Sequence, residues 1–247
     1  MTTIDSGVRA DLTPGGRLIA ALNHGNTVLV QRDPASGEPR GVSPDLAREL
    51  ARRLAVELDF VHFDSARKVF ETVDAGVWDV AFLAIDPLRV AGIAFTAPYV
   101  IIEGSYLVPD DSPLRTIADV DRAGVRVAAG RGTAYDLYLT RELKQAQLVR
   151  APNSADALDL FMEQGLEAAA GVRQPLVAFA ANHPGLRVIE GSFTKIEQAV
   201  GTAKARTAGA AYLRGFIEEM KATGFIANSL RASNQHDAVV AALANVG

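Results

Sequence analysis

The stretch that decides the fold runs from residue 79 to residue 108 and reads DVAFLAIDPLRVAGIAFTAPYVIIEGSYLV. Residues 80–85 form a continuous apolar run, which is typical of a strand covered on both faces. The turn DPLR at 86–89 follows, and FTAPY at 95–99 leads into a second strand. A guanidinium presented at the end of such a strand can bind a carboxylate through two parallel hydrogen bonds. We therefore expect an anion site at Arg89.

Composition narrows the class of protein. The chain has 247 residues, 29 acidic and 25 basic side chains, a net charge of −4 and no cysteine. This balance argues against nucleic-acid binding, which needs a basic field, and the lack of cysteine excludes disulfides and thiolate chemistry. No apolar run approaches the roughly 20 residues that cross a bilayer. The N-terminus has no apolar core of a signal peptide, which favours a cytoplasmic location for the chain as written.

Strand and helix patterns alternate along the chain and predict an α/β fold. We expect strands at 17–22, 57–63, 80–85, 125–129, 147–150, 167–171, 187–189 and 196–202, and helices at 44–55, 67–75, 134–143, 155–164, 175–182, 208–223 and 225–231. Ser43 is the expected N-cap of the first of these helices, with Pro44 at its first helical position. The pattern restarts after residue 108, which predicts one lobe from residues 1–106 and 194–247 and a second lobe from residues 107–193.

Five short motifs occur in order and together resemble the bacterial extracellular solute-binding proteins of family 3. They are the helix carrying DLA at 45–47, the glycine and aspartate of GVWD at 76–79, DPLR at 86–89, FTAPY at 95–99 and GRGT at 130–133. The resemblance implies a periplasmic-binding-protein-like type II fold, with two α/β lobes joined by a two-strand hinge. It also implies a ligand in the cleft between the lobes, trapped by hinge closure.

The resemblance assigns roles to several residues. Arg89 corresponds to the arginine that grips the ligand α-carboxylate, assisted by backbone amides of residues 83–86, so Ala84 and Asp86 frame the site. Thr133 corresponds to a residue that donates its hydroxyl, at a helix N-terminus that favours negative charge.

Departures from the family pattern bear on the ligand. The acid that usually holds the ligand ammonium falls on Val172 or Arg173, and a second acid is replaced by Asn23. Asn26 and Ala66 replace the usual stacking aromatic residues. Burying an ammonium without a counter-charge costs several kcal/mol. The sequence therefore favours a small anionic ligand, a carboxylate or an amino-acid derivative.

Each of these residues also has a structural interpretation. Arg89 could cap strand carbonyls or pair with Asp86, Thr133 could be a plain N-cap, and Arg173 could be a solvated residue at a helix start. Glu103 could form a hinge salt bridge, accept a hydrogen bond from the ligand, or act as a general acid. The four histidines are scattered and show no metal-ligand spacing, so we expect no metal and no cofactor.

These observations predict a non-catalytic solute-binding protein, either a transporter component that delivers its ligand to a membrane permease or a stand-alone sensor. We expect a monomer with no nucleic-acid partner and no direct membrane insertion. The family resemblance implies a periplasmic location, whereas the N-terminus as written favours the cytoplasm. A cyclohexadienyl-dehydratase-like lyase on the same scaffold is the alternative, with Glu103 or Asp86 as its carboxylate. The effector-binding part of a regulator is a third reading, weakened by the lack of an appended DNA-binding helix pair.

Overall fold

A computed structural model describes residues 4–244 and has a mixed α/β architecture. The helices are α1 Ser6–Leu12, α2 Val42–Leu54, α3 Ala66–Glu71, α4 Ala134–Glu142, α5 Ser154–Gln164, α6 Arg173–Asn182, α7 Thr207–Ala222 and α8 Phe225–Ala232. The strands are β1 Arg17–Asn23, β2 Gln31–Arg32, β3 Pro39–Arg40, β4 Glu57–Phe63, β5 Val80–Ala84, β6 Ile93–Phe95, β7 Val100–Pro109, β8 Arg126–Gly130, β9 Gln147–Ala151, β10 Ala168–Val172, β11 Leu186–Val188, β12 Thr194–Ala203 and β13 Val239–Val240. Short 3-10 turns occupy Val73–Ala75, Arg89–Ala91 and Ile117–Asp119.

The described chain separates into two compact units. The first unit consists of the chain up to Asp64, of Lys68–Ile101 and of the chain from Glu197 onward. The second unit consists of Ile102–Ile196 together with Ser65–Arg67. The chain therefore passes from the first unit to the second within β7 and returns within β12.

A parallel sheet forms the centre of the first unit. Strand β1 pairs in parallel with β4 on one side and with β5 on the other. Strand β12 pairs antiparallel with β5, and β6 pairs antiparallel with β12. All five residues of β5 are buried, as the continuous apolar run at 80–85 predicts for a strand inside a sheet.

The second unit has its own sheet and its own core. Strand β8 pairs in parallel with β9 and with β10, while β7 pairs antiparallel with β10 and β11. The core packs apolar side chains of these strands against α5 and α6. Its buried members are Leu107, Ala128, Ala151, Ala157, Phe161, Leu166, Ala169 and Leu176.

The start of α2 differs from the sequence prediction. The N-cap is Gly41, with a φ of 107°. Residues other than glycine rarely adopt this backbone conformation. A Cβ on Gly41 would also lie 2.6 Å from the carbonyl oxygen of Leu29. The prediction of Ser43 as N-cap is wrong, because Ser43 lies inside the helix and its hydroxyl forms a 3.1 Å hydrogen bond with the Tyr99 hydroxyl.

Between residues 4 and 244, the helices are too short or too polar to span a lipid bilayer.

Candidate functional site

The carboxyl ends of β1, β4 and β5 lie at one edge of the first unit's sheet, because these three strands run parallel. Ligands of open α/β sheets bind outside this edge, where loops and helix starts converge. The sequence-predicted residues of the first unit follow two of these strands: Asn23 and Asn26 at the end of β1, and Ala84, Asp86 and Arg89 at the end of β5.

The turn after β5 holds Arg89 in place. The Nη1 of Arg89 donates a 2.9 Å hydrogen bond to the carbonyl oxygen of Ala84, and the Arg89 backbone N–H donates to the carbonyl oxygen of Asp86 at 2.9 Å. The Asp86 carboxylate accepts a 2.9 Å hydrogen bond from the N–H of Leu88 and so fixes the turn. The interpretation of Arg89 as a cap on a strand carbonyl is therefore confirmed, and its role in ligand binding stays a prediction.

Arg89 is 1% exposed, which is unusual for a charged side chain. Burial lowers the pKa of its guanidinium to about 10, while the charge of Asp86 acts in the opposite direction. The direction of the shift means that burial disfavours the charged form of Arg89 more than the charge of Asp86 favours it. A further anionic group beside the guanidinium would favour the charged form.

The loop after β1 has two side-chain amides, of which one accepts a hydrogen bond through its oxygen and the other does not. Asn23 is 9% exposed, and its Oδ1 accepts a 3.0 Å hydrogen bond from the N–H of Gly25. Gly25 packs so closely that a Cβ there would lie 2.7 Å from the carbonyl oxygen of Asp64. The Oδ1 atom of Asn26 is shielded from solvent and has no hydrogen-bond partner among the described residues. A buried amide oxygen without a partner is costly, and it is a natural acceptor for a ligand donor.

Ser65, in the loop between β4 and α3, is a residue that the sequence analysis missed. It is 2% exposed, and its hydroxyl oxygen has no hydrogen-bond partner in the described part of the chain. A serine before a helix usually indicates an N-cap, so the sequence carries no signal for this orphaned hydroxyl.

In the second unit, the turn between β8 and α4 is closed by the chain's own side chains. Thr133 is the N-cap of α4: its hydroxyl accepts from the Asp136 N–H and donates to the Gly130 carbonyl at 2.8 Å. The buried Asp136 carboxylate accepts from the N–H of Gly132 at 2.8 Å and pairs with Arg150 at 2.7 Å. The N-cap interpretation of Thr133 is confirmed, and its contact with a ligand stays a prediction.

The chain after β10 carries Arg173 and Gln174, neither of which is an acid that could pair with an ammonium. Arg173 opens α6, and its Nη1 donates to the carbonyl oxygens of Ile189 and Gly191 at 3.1 and 3.0 Å. The next residue, Gln174, has a solvent-shielded Oε1 with no hydrogen-bond partner among the described residues. Gln174 was not singled out by the sequence, because one glutamine in the first turn of a helix is unremarkable.

Glu103 lies on β7 within the second unit and is half-buried. Its carboxylate makes no ion pair with the described residues, so of the three interpretations of Glu103 the hinge salt bridge is not formed there. Residues 4–244 also contain no group of three histidine, aspartate or glutamate side chains that could hold a metal ion.

Two α/β units that the chain enters and leaves through two long strands define a class of ligand-binding proteins, the type II periplasmic binding proteins. A solved mutant of ArgBP from T. maritima has this fold: the TM-score is 0.79 at 23% identity, over 92% of this chain and 99% of that one. The family model described as "Bacterial extracellular solute-binding proteins, family 3" matches residues 28–232. The chain belongs to this family.

Two further proteins are similar to the chain. A protein named "Glutamine-binding protein" from Geobacillus stearothermophilus is 20% identical over 193 residues, which is 76% of this chain and 73% of that protein. The ancestral amino acid-binding protein AncCDT-1, described as a precursor of cyclohexadienyl dehydratase, has a TM-score of 0.75 at 20% identity. The match covers 90% of this chain and 96% of that protein.

Proposed function

We propose that the protein is a non-catalytic solute-binding protein for a small anionic organic ligand. Arg89 anchors a carboxylate of the ligand, and closure of the two units about their connecting strands retains it. The family and the two amino-acid-binding relatives support the general assignment. Delivery to the permease of an ABC transporter is the role that family membership favours, and a stand-alone sensor is the other form of the same proposal.

The observation that carries the proposal is the buried guanidinium of Arg89 at the carboxyl edge of a parallel sheet. A bidentate carboxylate is the group best matched to a guanidinium in such a position. The unpartnered Oδ1 of Asn26 belongs to the loop that ends β1 on the same sheet edge. This amide oxygen is hard to explain as a stabilising element and is simple to explain as part of a binding site.

The rest of the ligand is inferred from the end of β10. Val172, Arg173 and Gln174 occupy this position, and they offer a cation and an amide where an ammonium would need an acid. An uncompensated buried ammonium costs several kcal/mol. We therefore expect a ligand without an ammonium group, which is neutral or anionic beyond the carboxylate that Arg89 binds.

A lyase is the second candidate, and Glu103 is the observation that favours it. Its carboxylate is half-buried without an ion pair among the described residues, and AncCDT-1 is described as a precursor of a dehydratase. A carboxylate that is close to a bound acid could transfer a proton in an elimination. A fold shared with such a protein does not itself supply the activity.

A thermal-shift screen of mono- and dicarboxylates, keto acids and amino acids tests the proposal. A ligand at 100 times its dissociation constant adds about 2.7 kcal/mol, which raises the melting temperature by roughly 5–10 °C for a chain of this size. The stabilisation should disappear in Arg89→Met. It should persist in Arg214→Met, which makes the same side-chain change at an exposed position of α7.

Two outcomes would contradict parts of the proposal. Stabilisation mainly by α-amino acids with a free ammonium would reject the anionic ligand while leaving the solute-binding class intact. Turnover of a prephenate-like acid that is lost in Glu103→Gln would replace the binding role with the lyase.

A further inference from the structure

Two histidines of the first unit are joined side chain to side chain. Nε2 of His24, in the loop after β1, lies 2.8 Å from Nδ1 of His62 on β4, and the ring centroids are 5.0 Å apart. The main chain adds a second link at the same place, since the His24 N–H donates to the carbonyl oxygen of Phe63 at 2.8 Å. The loop of residues 23–26 is thus fastened to β4 through His24.

The bond between the two rings depends on their protons. A neutral imidazole has one donor and one acceptor nitrogen, whereas an imidazolium has two donors. When both rings are neutral, or when only one of them is protonated, one ring can donate a hydrogen bond to the other. With both rings protonated, two N–H groups face each other at 2.8 Å and the bond is lost. The first proton is therefore tolerated, and the second breaks the link.

The surroundings oppose that second proton. Burial is the main factor that lowers the pKa of both histidines, and the nearby charge of Arg32 lowers both further. His62 lowers the pKa of His24 as well. Glu38, which precedes β3, raises the pKa of His62 and partly offsets these effects.

Two further charges lie beside the loop. Asp64, which follows β4, forms a 2.6 Å ion pair with Lys68 of α3, which balances its charge next to the histidines. The cationic side chain of Arg32 is exposed and donates a long 3.4 Å hydrogen bond to the Gly37 carbonyl. The local field thus keeps the pair from taking up two protons near neutral pH.

We propose that His24 and His62 form a pH-sensitive clasp that holds the loop of residues 23–26 on β4 near neutral pH and releases it in mild acid. This loop carries Asn23 and the unpartnered Asn26. An effect of acid on ligand affinity is a consequence that rests on the proposed function. The clasp itself is a property of the ligand-free protein.

Three backbone amides report on the clasp. The N–H of His24 bonds to Phe63, that of Gly25 to the Asn23 side chain, and that of Asn26 to the Asn23 carbonyl. Amide exchange of the ligand-free protein, corrected for the intrinsic pH dependence, measures how often these bonds open. We expect their protection to fall about tenfold between about pH 7.5 and about pH 5, the effect of losing one hydrogen bond.

His62→Phe keeps an aromatic ring on β4 and removes the hydrogen bond. The three amides should then be as weakly protected at neutral pH as the wild type is in acid, with no further change on acidification. His24→Phe should behave in the same way, while His236→Phe, at an exposed position before β13, should behave like the wild type.

Histidine NMR titration gives an independent reading. Removing His62 should raise the pKa of His24 towards its ordinary value of 6.5. Unchanged protection of the wild-type amides between the two pH values, or a pH response that survives in His62→Phe, would overturn the proposal. These measurements need no ligand, so they stand whether or not a carboxylate is found to bind.

Discussion

The carboxyl ends of the parallel strands are treated differently in the two units. In the first unit, the Asn26 amide oxygen has no partner among the described residues, and the Arg89 guanidinium is buried with a depressed pKa. In the second unit, the turn after β8 is closed on itself, because Asp136 accepts both the Gly132 N–H and the Arg150 guanidinium. The turn after β8 is thus closed by its own side chains, whereas the loop after β1 leaves an amide oxygen without a partner among the described residues.

We expect this difference to separate residues that maintain the fold from residues that bind the proposed ligand. A polar group with its hydrogen bonds made contributes to stability, and removing it exposes its partners. A buried polar group that lacks a partner destabilises the free protein. This cost is removed only when a ligand supplies the missing hydrogen bond. Substitutions in the second unit should therefore act mainly on stability, and substitutions in the first unit mainly on binding.

The largest loss of stability is expected for Asp136→Ala. The change removes the acceptor that the Arg150 guanidinium and the Gly132 N–H share. Breaking a largely buried ion pair from one side costs about 3 kcal/mol. Denaturant unfolding followed by amide exchange within the second unit measures the loss. Asp156, on the first turn of α5, has no ion pair with the residues that the structure describes, so Asp156→Ala should cost clearly less. An Asp136→Ala variant as stable as the wild type would remove the distinction between the units.

Arg173→Met and Arg89→Met make the same side-chain change in the two units and form the next test. Arg173 donates to two carbonyl oxygens, so its loss should lower the free energy of unfolding by about 1–2 kcal/mol. Arg89 is buried, donates to the Ala84 carbonyl and lies in the field of Asp86, so Arg89→Met should cost at least as much stability. Calorimetric titration with a carboxylate from the screen should separate the two variants, with binding lost in Arg89→Met and retained in Arg173→Met. Equal effects of both changes on affinity would indicate that Arg173 also contacts the ligand.

Most of the fold could be predicted because its signals are local. The apolar run of β5, the alternation of β4 and the glycine stops after Ala75 and Gln164 all depend on residues near in sequence. The elements missed were α1, β2, β3, β6 and β13. These strands have two or three residues each, and β6 and β13 exist through pairing with β12 and β7, which the sequence does not display.

The candidate site was less accessible to sequence reasoning. The arginine and the turn around it could be named from the DPLR pattern, and Thr133 from its place before a helix. The unpartnered atoms of Ser65 and Gln174 and the contact between His24 and His62 could not be named, because an unmet or newly made hydrogen bond depends on packing between distant segments. Side-chain type shows what a residue can bond to, and only the fold shows whether it does.

The smallest stability effect is expected for Asn26→Ala, and it gives the sharpest comparison within one loop. The Oδ1 of Asn26 has no partner among the described residues, so its removal should lower the free energy of unfolding by no more than about 0.5 kcal/mol. Asn23→Ala, three residues earlier, removes the acceptor of the Gly25 N–H and should cost about 1 kcal/mol. In titrations with the carboxylate, Asn26→Ala should nevertheless weaken binding several-fold, because the ligand loses an acceptor that the free protein leaves unused. An Asn26→Ala variant that is clearly destabilised and binds normally would show that the amide serves the fold, and the contrast between the two sheet edges would then rest on Arg89 alone.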